Sequence, residues 1–149
     1  MQARLSPDEL GAWRGFLQTH ARLTRQLDDE LRSEHDLPLT TYDVLVQLEN
    51  APGHQMRMSE LADAVLLSRS GLTRLVDRLE RQGLLERREC PDDARGSLAA
   101  LTDAGAARLA EARPTHLAGV RRLFLEPLGK PERRQMAAVW EQLSRAGGP

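Results

Sequence analysis

Between Leu67 and Gly83 the sequence sets short hydroxyls and guanidinium groups at helical spacing: Ser68, Arg69, Ser70, Thr73, Arg74 and Arg78. A helix over 69–82, turning by about 100° per residue, puts Leu72, Leu75, Val76 and Leu79 on one face, leaving Ser70, Thr73, Arg74, Asp77 and Arg81 opposite. Hydroxyls, arginine forks and the free amides of a helix's first turn bond phosphate oxygens and base edges. Arg74, one turn in, can present its two-pronged head to guanine, with Asp77 as a holding partner for Arg74 or Arg81. Farther on, the hexapeptide PDDARG reads as a turn: Asp92 and Asp93 tie it down, Gly96 permits the reversal, and Arg95 stands at the tip, suited to a narrow minor groove. Each group alone is ordinary, since arginine-rich solvated helices and polar turns are common. Their order is informative, because a helix followed at once by a hairpin is the arrangement of a winged helix.

Something must hold that helix in place. The segment 59–65 reads as a short helix starting at Met58-Ser59-Glu60 with Ser59 as cap; Leu66-Leu67-Ser68 interrupts it, and Ser68 caps the next helix, which Gly83 stops. This is helix-turn-helix spacing, with Leu61, Ala62 and Val65 packing on Leu72, Leu75, Val76 and Leu79. Strands are expected over 84–89 and 97–101. Upstream, Ser6, Pro7 and Glu9 form a capping box for a long helix whose apolar stripe runs through Leu10, Trp13, Leu17, Ala21, Leu27 and Leu31, widened by Phe16, His20 and Leu23. Such a helix outruns what a small domain can cover, so part of it should face a partner. His35 to Pro38 breaks it, Thr40 to Asp43 offers a cap for a helix through Val44–Leu48, and Ala51-Pro52-Gly53 breaks the chain again. Thr102-Asp103 should cap a helix over about 103–125 that Pro114 kinks or divides, followed by a turn at 127–130, a last helix over 131–143 and a frayed tail at 146–149.

Composition narrows the function class. With 149 residues, 40% of them hydrophobic, the chain suits one domain with a real core. A net charge of -1 leaves no global basic field, so any polyanion must be met by a local patch. Aromatic residues make up only 3%, too few for base-stacking platforms that grip single strands. The lone cysteine, Cys90, rules out an intrachain disulfide framework; together with the absence of a secretory-type start or an apolar run near the roughly 18 to 20 residues of a membrane span, it leads us to expect a cytoplasmic protein away from membranes. His20, His35, His54 and His116 are scattered, so no metal site is expected; nor does any phosphate-cradling glycine loop or nucleophile motif suggest an enzyme or a cofactor.

The stretch LADAVLLSRSGLTRLVDRLERQG (61–83), then Leu84-Leu85-Glu86-Arg87, Asp93-Ala94-Arg95-Gly96 and Leu101-Thr102-Asp103-Ala104-Gly105, resembles the MarR family of bacterial transcription regulators. The D-x-R wing followed by L-T-x-x-G carries the likeness, which extends over nearly the whole chain. It implies a mainly α fold with a small β-hairpin: one MarR-like domain with a winged helix-turn-helix lobe over about 38–101 and dimerisation helices over about 6–34 and 103–145. It further implies a homodimer on a palindromic double-stranded DNA operator, with Ser68, Arg69, Ser70, Thr73 and Arg74 as recognition-helix contacts and Asp93 and Arg95 as the wing's. Arg78 joins them as an exposed cation of the same helix. Regulation in the family usually comes from a small aromatic or phenolic anion; Trp13, Phe16 and His20 are the candidate lining residues here, although such side chains serve as core or interface more often. The expected output is repression relieved by that ligand. Cys90, beside Arg87 and Arg88, reads as a bystander thiol. The rival is a winged-helix protein-interaction module without DNA binding, which predicts an acidic or apolar recognition face; Arg74, Arg78 and Arg81 oppose it.

Overall fold

A computed structural model describes residues 4–148, apart from the side chains of 93–95. Six α-helices are present among the described residues, α1 (Pro7–His35), α2 (Leu39–Asn50), α3 (Met58–Ala64), α4 (Arg69–Arg81), α5 (Asp103–Val120) and α6 (Lys130–Ala146), with strands β1 (Gln55–Arg57), β2 (Leu85–Cys90) and β3 (Asp93–Leu101). The strands form one antiparallel sheet in the order β1-β3-β2. The chain divides into two compact units, Asp28–Thr115 and Met1–Leu27 with His116–Pro149.

The Asp28–Thr115 unit holds the core. Leu31, Val44, Leu45, Leu48, Leu61, Leu72, Val76, Leu79, Leu85 and Leu109 are all buried, and every buried hydrophobic side chain among the described residues lies between Leu31 and Ala112. Leu61 and Ala62 of α3 meet Leu72, Leu75, Val76 and Leu79 of α4 in that cluster, with Val65 packed at its edge, as the spacing predicted. The end of α1 and the start of α5 belong to this unit. Arg108 of α5 donates to the His35 carbonyl, Arg113 pairs with Glu49, and the Thr115 hydroxyl donates to Glu34 at 3.0 Å.

Caps explain most element starts. At α1, Glu9 Oε2 accepts the Ser6 amide at 2.7 Å and Ser6 Oγ accepts the Glu9 amide at 3.3 Å, so the capping box forms. Ser68 Oγ accepts the Gly71 amide at 3.0 Å, and Gly83 takes φ 75° after α4, a left-handed residue where glycine is free of the Cβ penalty. Thr102 Oγ1 accepts the Gly105 amide at 3.0 Å and donates to the Gly83 carbonyl at 2.6 Å, joining the end of α4 to the start of α5.

Several expectations are corrected. Helix α2 starts at Leu39, ahead of Thr40 to Asp43, because Asp28 of α1 accepts the Leu39 amide at 2.8 Å and does the capping from across the fold. Helix α3 starts at Met58, before Ser59, and Ser59 does not cap it. Pro114 does not divide α5: the helix runs through it to Val120 and continues as a π-helical turn at Arg121–Leu125. The hairpin is part of a three-stranded sheet, since Gln55, Met56 and Arg57 pair with Ala100, Ala99 and Leu98. Three residues without a β-branched side chain show no alternating pattern, so β1 left no trace in the sequence.

Candidate nucleic-acid interface

The chain passes from α3 to α4 through Val65–Ser68, where Leu66 adopts φ 57° and is 90% exposed. A non-glycine residue in that region costs about 1 kcal/mol or more, and here the cost is borne by a residue that buries nothing. The buried stripe of α4 faces α3 and the sheet, leaving Ser68, Arg69, Ser70, Thr73, Arg74 and Arg78 exposed together along the opposite side. Among the described residues, the guanidinium groups of Arg69, Arg74 and Arg78 make no hydrogen bond or ion pair. The hydroxyls are less free. Thr73 Oγ1 donates to the Arg69 carbonyl at 2.9 Å, so its proton is spent within the helix, whereas Ser68 Oγ, which accepts Gly71 N–H, still has its own proton for Ser70 at 3.3 Å or for an incoming anion.

The wing differs from the expected loop. Cys90 pairs with Asp93, leaving only Pro91 and Asp92 between the strands. The tightest part of the reversal is there, and Arg95 and Gly96 follow it within the span of β3, in the three-residue stretch that has no partner on β2. The ladder breaks between Ser97 and Asp93, so Ala94, Arg95 and Gly96 have no partner on β2, and a polar, small-residue stretch shows no period-two alternation to announce where the strands end. The side chains of Asp93 and Arg95 lie outside the described residues. The register shift falls at Glu89/Cys90, with the extra residues on β3. Cys90 is buried, with 6% of the residue exposed, in keeping with a bystander thiol.

Two basic residues that sequence reasoning left unassigned complete the surface. Arg57, from β1, lines with Arg69, Thr73, Gly96 and Ser97 a cavity of about 420 Å³ between the start of α4 and the wing strand. Arg87 of β2 reaches back to α4: its Nη2 lies 2.7 Å from Asp77 Oδ1 and 3.4 Å from the Thr73 carbonyl, and its amide donates to Glu80 Oε2 at 2.7 Å. Asp77 thus holds Arg87, correcting its expected pairing with Arg74 or Arg81; Arg81 reaches only the Asp77 carbonyl, at 3.3 Å. A pair separated by a strand turn has no helical spacing to reveal it, and only the packing of β2 on α4 brings the two together.

The unit made of 1–27 and 116–149 has a different character. Among the described residues, all large apolar side chains left exposed, Leu66 excepted, belong to it: Leu5, Trp13, Phe16, Leu17, Leu117, Val139, Trp140 and Leu143. Phe16 and His20 line an apolar cavity of about 470 Å³ with Leu23, Phe124, Met136 and Trp140. Trp13 is not part of its wall; it lies 54% exposed, its ring 6.2 Å from that of Phe16. Trp140, 5.8 Å from Phe16 between ring centres, fills the aromatic role. No group of three or more His, Cys, Asp or Glu side chains that could hold a metal occurs among the described residues, and no described helix is long and apolar enough to cross a membrane.

Comparison with known proteins agrees with this geometry. The MarR family profile matches residues 35–96. The chain is 33% identical over 104 residues to the transcriptional repressor MprA of Escherichia coli, covering 70% of this chain and 58% of that protein. Among solved structures, AbsC of Streptomyces coelicolor, a MarR family transcriptional regulator, is 32% identical with a TM-score of 0.88 over 97% of both chains. Sco3205 of the same organism, solved in complex with DNA, is 30% identical with a TM-score of 0.90 over 99% of this chain and 93% of its own. Identity at that level along almost the full length, on a helix-turn-helix that leaves Arg69, Arg74 and Arg78 unpaired among the described residues beside a wing, makes this chain a member of the MarR family of transcriptional regulators.

Proposed function

We propose that the protein is a homodimeric repressor that binds a palindromic double-stranded operator and is released from it by a small ligand. The observation that carries this reading is the Ser68-capped face of α4, where Arg69, Arg74 and Arg78 stand exposed and unpaired among the described residues. Unpaired guanidinium groups on a helix face are costly to leave without a partner in a specific complex and well suited to phosphates and guanine edges. Arg74 reads base edges, the amide-rich start of α4 with Ser68 and Ser70 meets phosphate, and Arg95 of the wing enters the neighbouring minor groove. The DNA-bound state of Sco3205 and the repressor role carried in MprA's name support DNA binding and repression for a chain so similar.

Dimerisation is supported by the terminal unit, which exposes Trp13, Leu17, Trp140 and Leu143 and, among the described residues, contributes no large apolar side chain to the buried core. The ligand reading rests on the cavity walled by Phe16, Leu23, Phe124, Met136 and Trp140, with His20 as its ionisable wall residue, a lining that suits a small aromatic or phenolic anion. Ligand there favours a dimer whose two α4 helices are misregistered for major grooves about 10 base pairs apart, so affinity falls by linkage without any blocked contact.

The test is selection of bound duplexes from a randomised pool by the purified protein. Recovery of an inverted repeat is the expected result, and gel shifts on it with a candidate phenolic acid then check release. A protein that enriches no double-stranded sequence at modest ionic strength refutes the reading.

A further inference from the structure

Asp77 is a carboxylate of α4 that lies among its exposed cations, with Arg74 one turn before it and Arg78 beside it. It is not shielded: its side chain is 46% exposed and that of its partner Arg87 33%. The pair is held at several points. Asp77 Oδ1 takes Arg87 Nη2 at 2.7 Å, the same nitrogen faces the Thr73 carbonyl at 3.4 Å, and Glu80 accepts the Arg87 amide at 2.7 Å. Arg87 is thus fixed to the recognition helix through both its head and its backbone, while Arg69, Arg74 and Arg78 are left without such partners among the described residues.

We infer that Asp77 is a specificity-determining residue that acts through Arg87: it withholds one guanidinium from the phosphate backbone and ties β2, the first wing strand, to the recognition helix. The inference rests on the DNA-binding reading above. A half-exposed ion pair contributes little to folding, because water and salt screen it. Its consequence lies in where the charge goes. A freed Arg87 adds a mobile cation beside three others, and a cation that finds phosphates strengthens binding to every sequence while carrying no sequence information. Discrimination between operator and bulk DNA then falls even as total affinity rises. Asp77 therefore sharpens a surface that would otherwise be merely adhesive.

The test uses the full chain with Asp77→Asn, Arg87→Ala and the double variant, titrated by fluorescence anisotropy against the duplex recovered by selection and a scrambled duplex of equal length, from 50 to 200 mM KCl. Asp77→Asn is expected to bind the scrambled duplex more tightly, with a steeper salt dependence. One added phosphate contact increases the loss of affinity over that salt range by about 3.5-fold, from a logarithmic slope of about 0.9 per contact. Its preference for the selected duplex should shrink. Arg87→Ala should show no gain on the scrambled duplex, and the double variant should match Arg87→Ala, since the gain requires the freed guanidinium. Circular dichroism melts establish that each variant folds, with Asp77→Ser as a second carboxylate-free variant. The inference is overturned if Asp77→Asn leaves scrambled-duplex affinity and salt slope unchanged, weakens both duplexes equally, or keeps its gain in the double variant. A wild type that prefers no duplex overturns the parent reading and this one with it, whereas a discriminating wild type matched by Asp77→Asn sinks this inference alone.

Discussion

Arg74 and Arg95 divide the proposed work of recognition between a helix and a strand, and single substitutions separate them. Arg74→Ala should relax sequence preference and cost about 1 to 3 kcal/mol, whereas Arg95→Ala should weaken binding chiefly at sites with A·T-rich flanks. Affinities on selected duplexes with permuted half-site bases and flanks check this, and an equal loss on all of them counts against direct readout by Arg74. Asp28 acts at the same scale on stability. Burial raises its pKa, but the Leu39 amide and Arg32, whose Nε lies 2.7 Å from Oδ2, outweigh that and hold the carboxyl below its ordinary value of 3.8. A folded pKa below the unfolded one gives stability that is present above the unfolded value and is lost as pH falls through the folded one. Asp28→Asn should therefore lose stability near neutrality, with the gap from wild type closing below about pH 4, where the unfolded carboxyl takes up its proton. Urea denaturation from pH 7 to 2.5 measures it; a gap that widens on acidification contradicts the capping role.

Among elements, the join between α4, the wing and α5 depends on Thr102 and Gly105. The Thr102 hydroxyl serves two helix ends at once, and Gly105 lets the first turn of α5 pass so near β2 that a Cβ there would collide with the Leu84 carbonyl and come within 2.8 Å of Leu101 Cδ1. Backbone cannot yield as a side-chain tip can, so Gly105→Ala should destabilise by about 1 to 3 kcal/mol or more. A thermal melt showing no loss would mean that α5 can shift without penalty. The L-T-x-x-G run that carries the family likeness is thus a packing device: a two-ended hydroxyl followed by a residue with no side chain.

For the molecule as a whole, the partition of apolar surface is the main fact. Among the described residues, buried hydrophobic side chains are confined to 31–112, while the terminal segments bear Trp13, Phe16, Leu17, Trp140 and Leu143 in the open. These side chains form the association surface of the proposed dimer. Sedimentation should give a dimer, and Leu143→Glu, placing a charge where 57% of a leucine is exposed, should shift it toward monomer without lowering the stability of the 28–115 unit. Operator affinity should fall with it, since two half-sites are then no longer bound as one unit. A wild type that sediments as a monomer at micromolar concentration contradicts this.

Local chemistry made much of this legible in advance. Ser6 with Glu9, Ser68, Gly83 and Thr102 act within a few residues of chain, where a cap or a left-handed turn depends on short-range geometry alone, and the leucines at 72, 75 and 79 repeat with the helix itself. What stayed hidden joins parts distant in sequence. Asp28 caps α2 from another helix, β1 exists because β3 offers it an edge, the wing strands shift register at Glu89/Cys90, and Asp77 meets Arg87 because β2 lies on α4. Hydrogen bonds and ion pairs of that kind have no period along the chain, so residue identity limits what can form them and only packing selects which do.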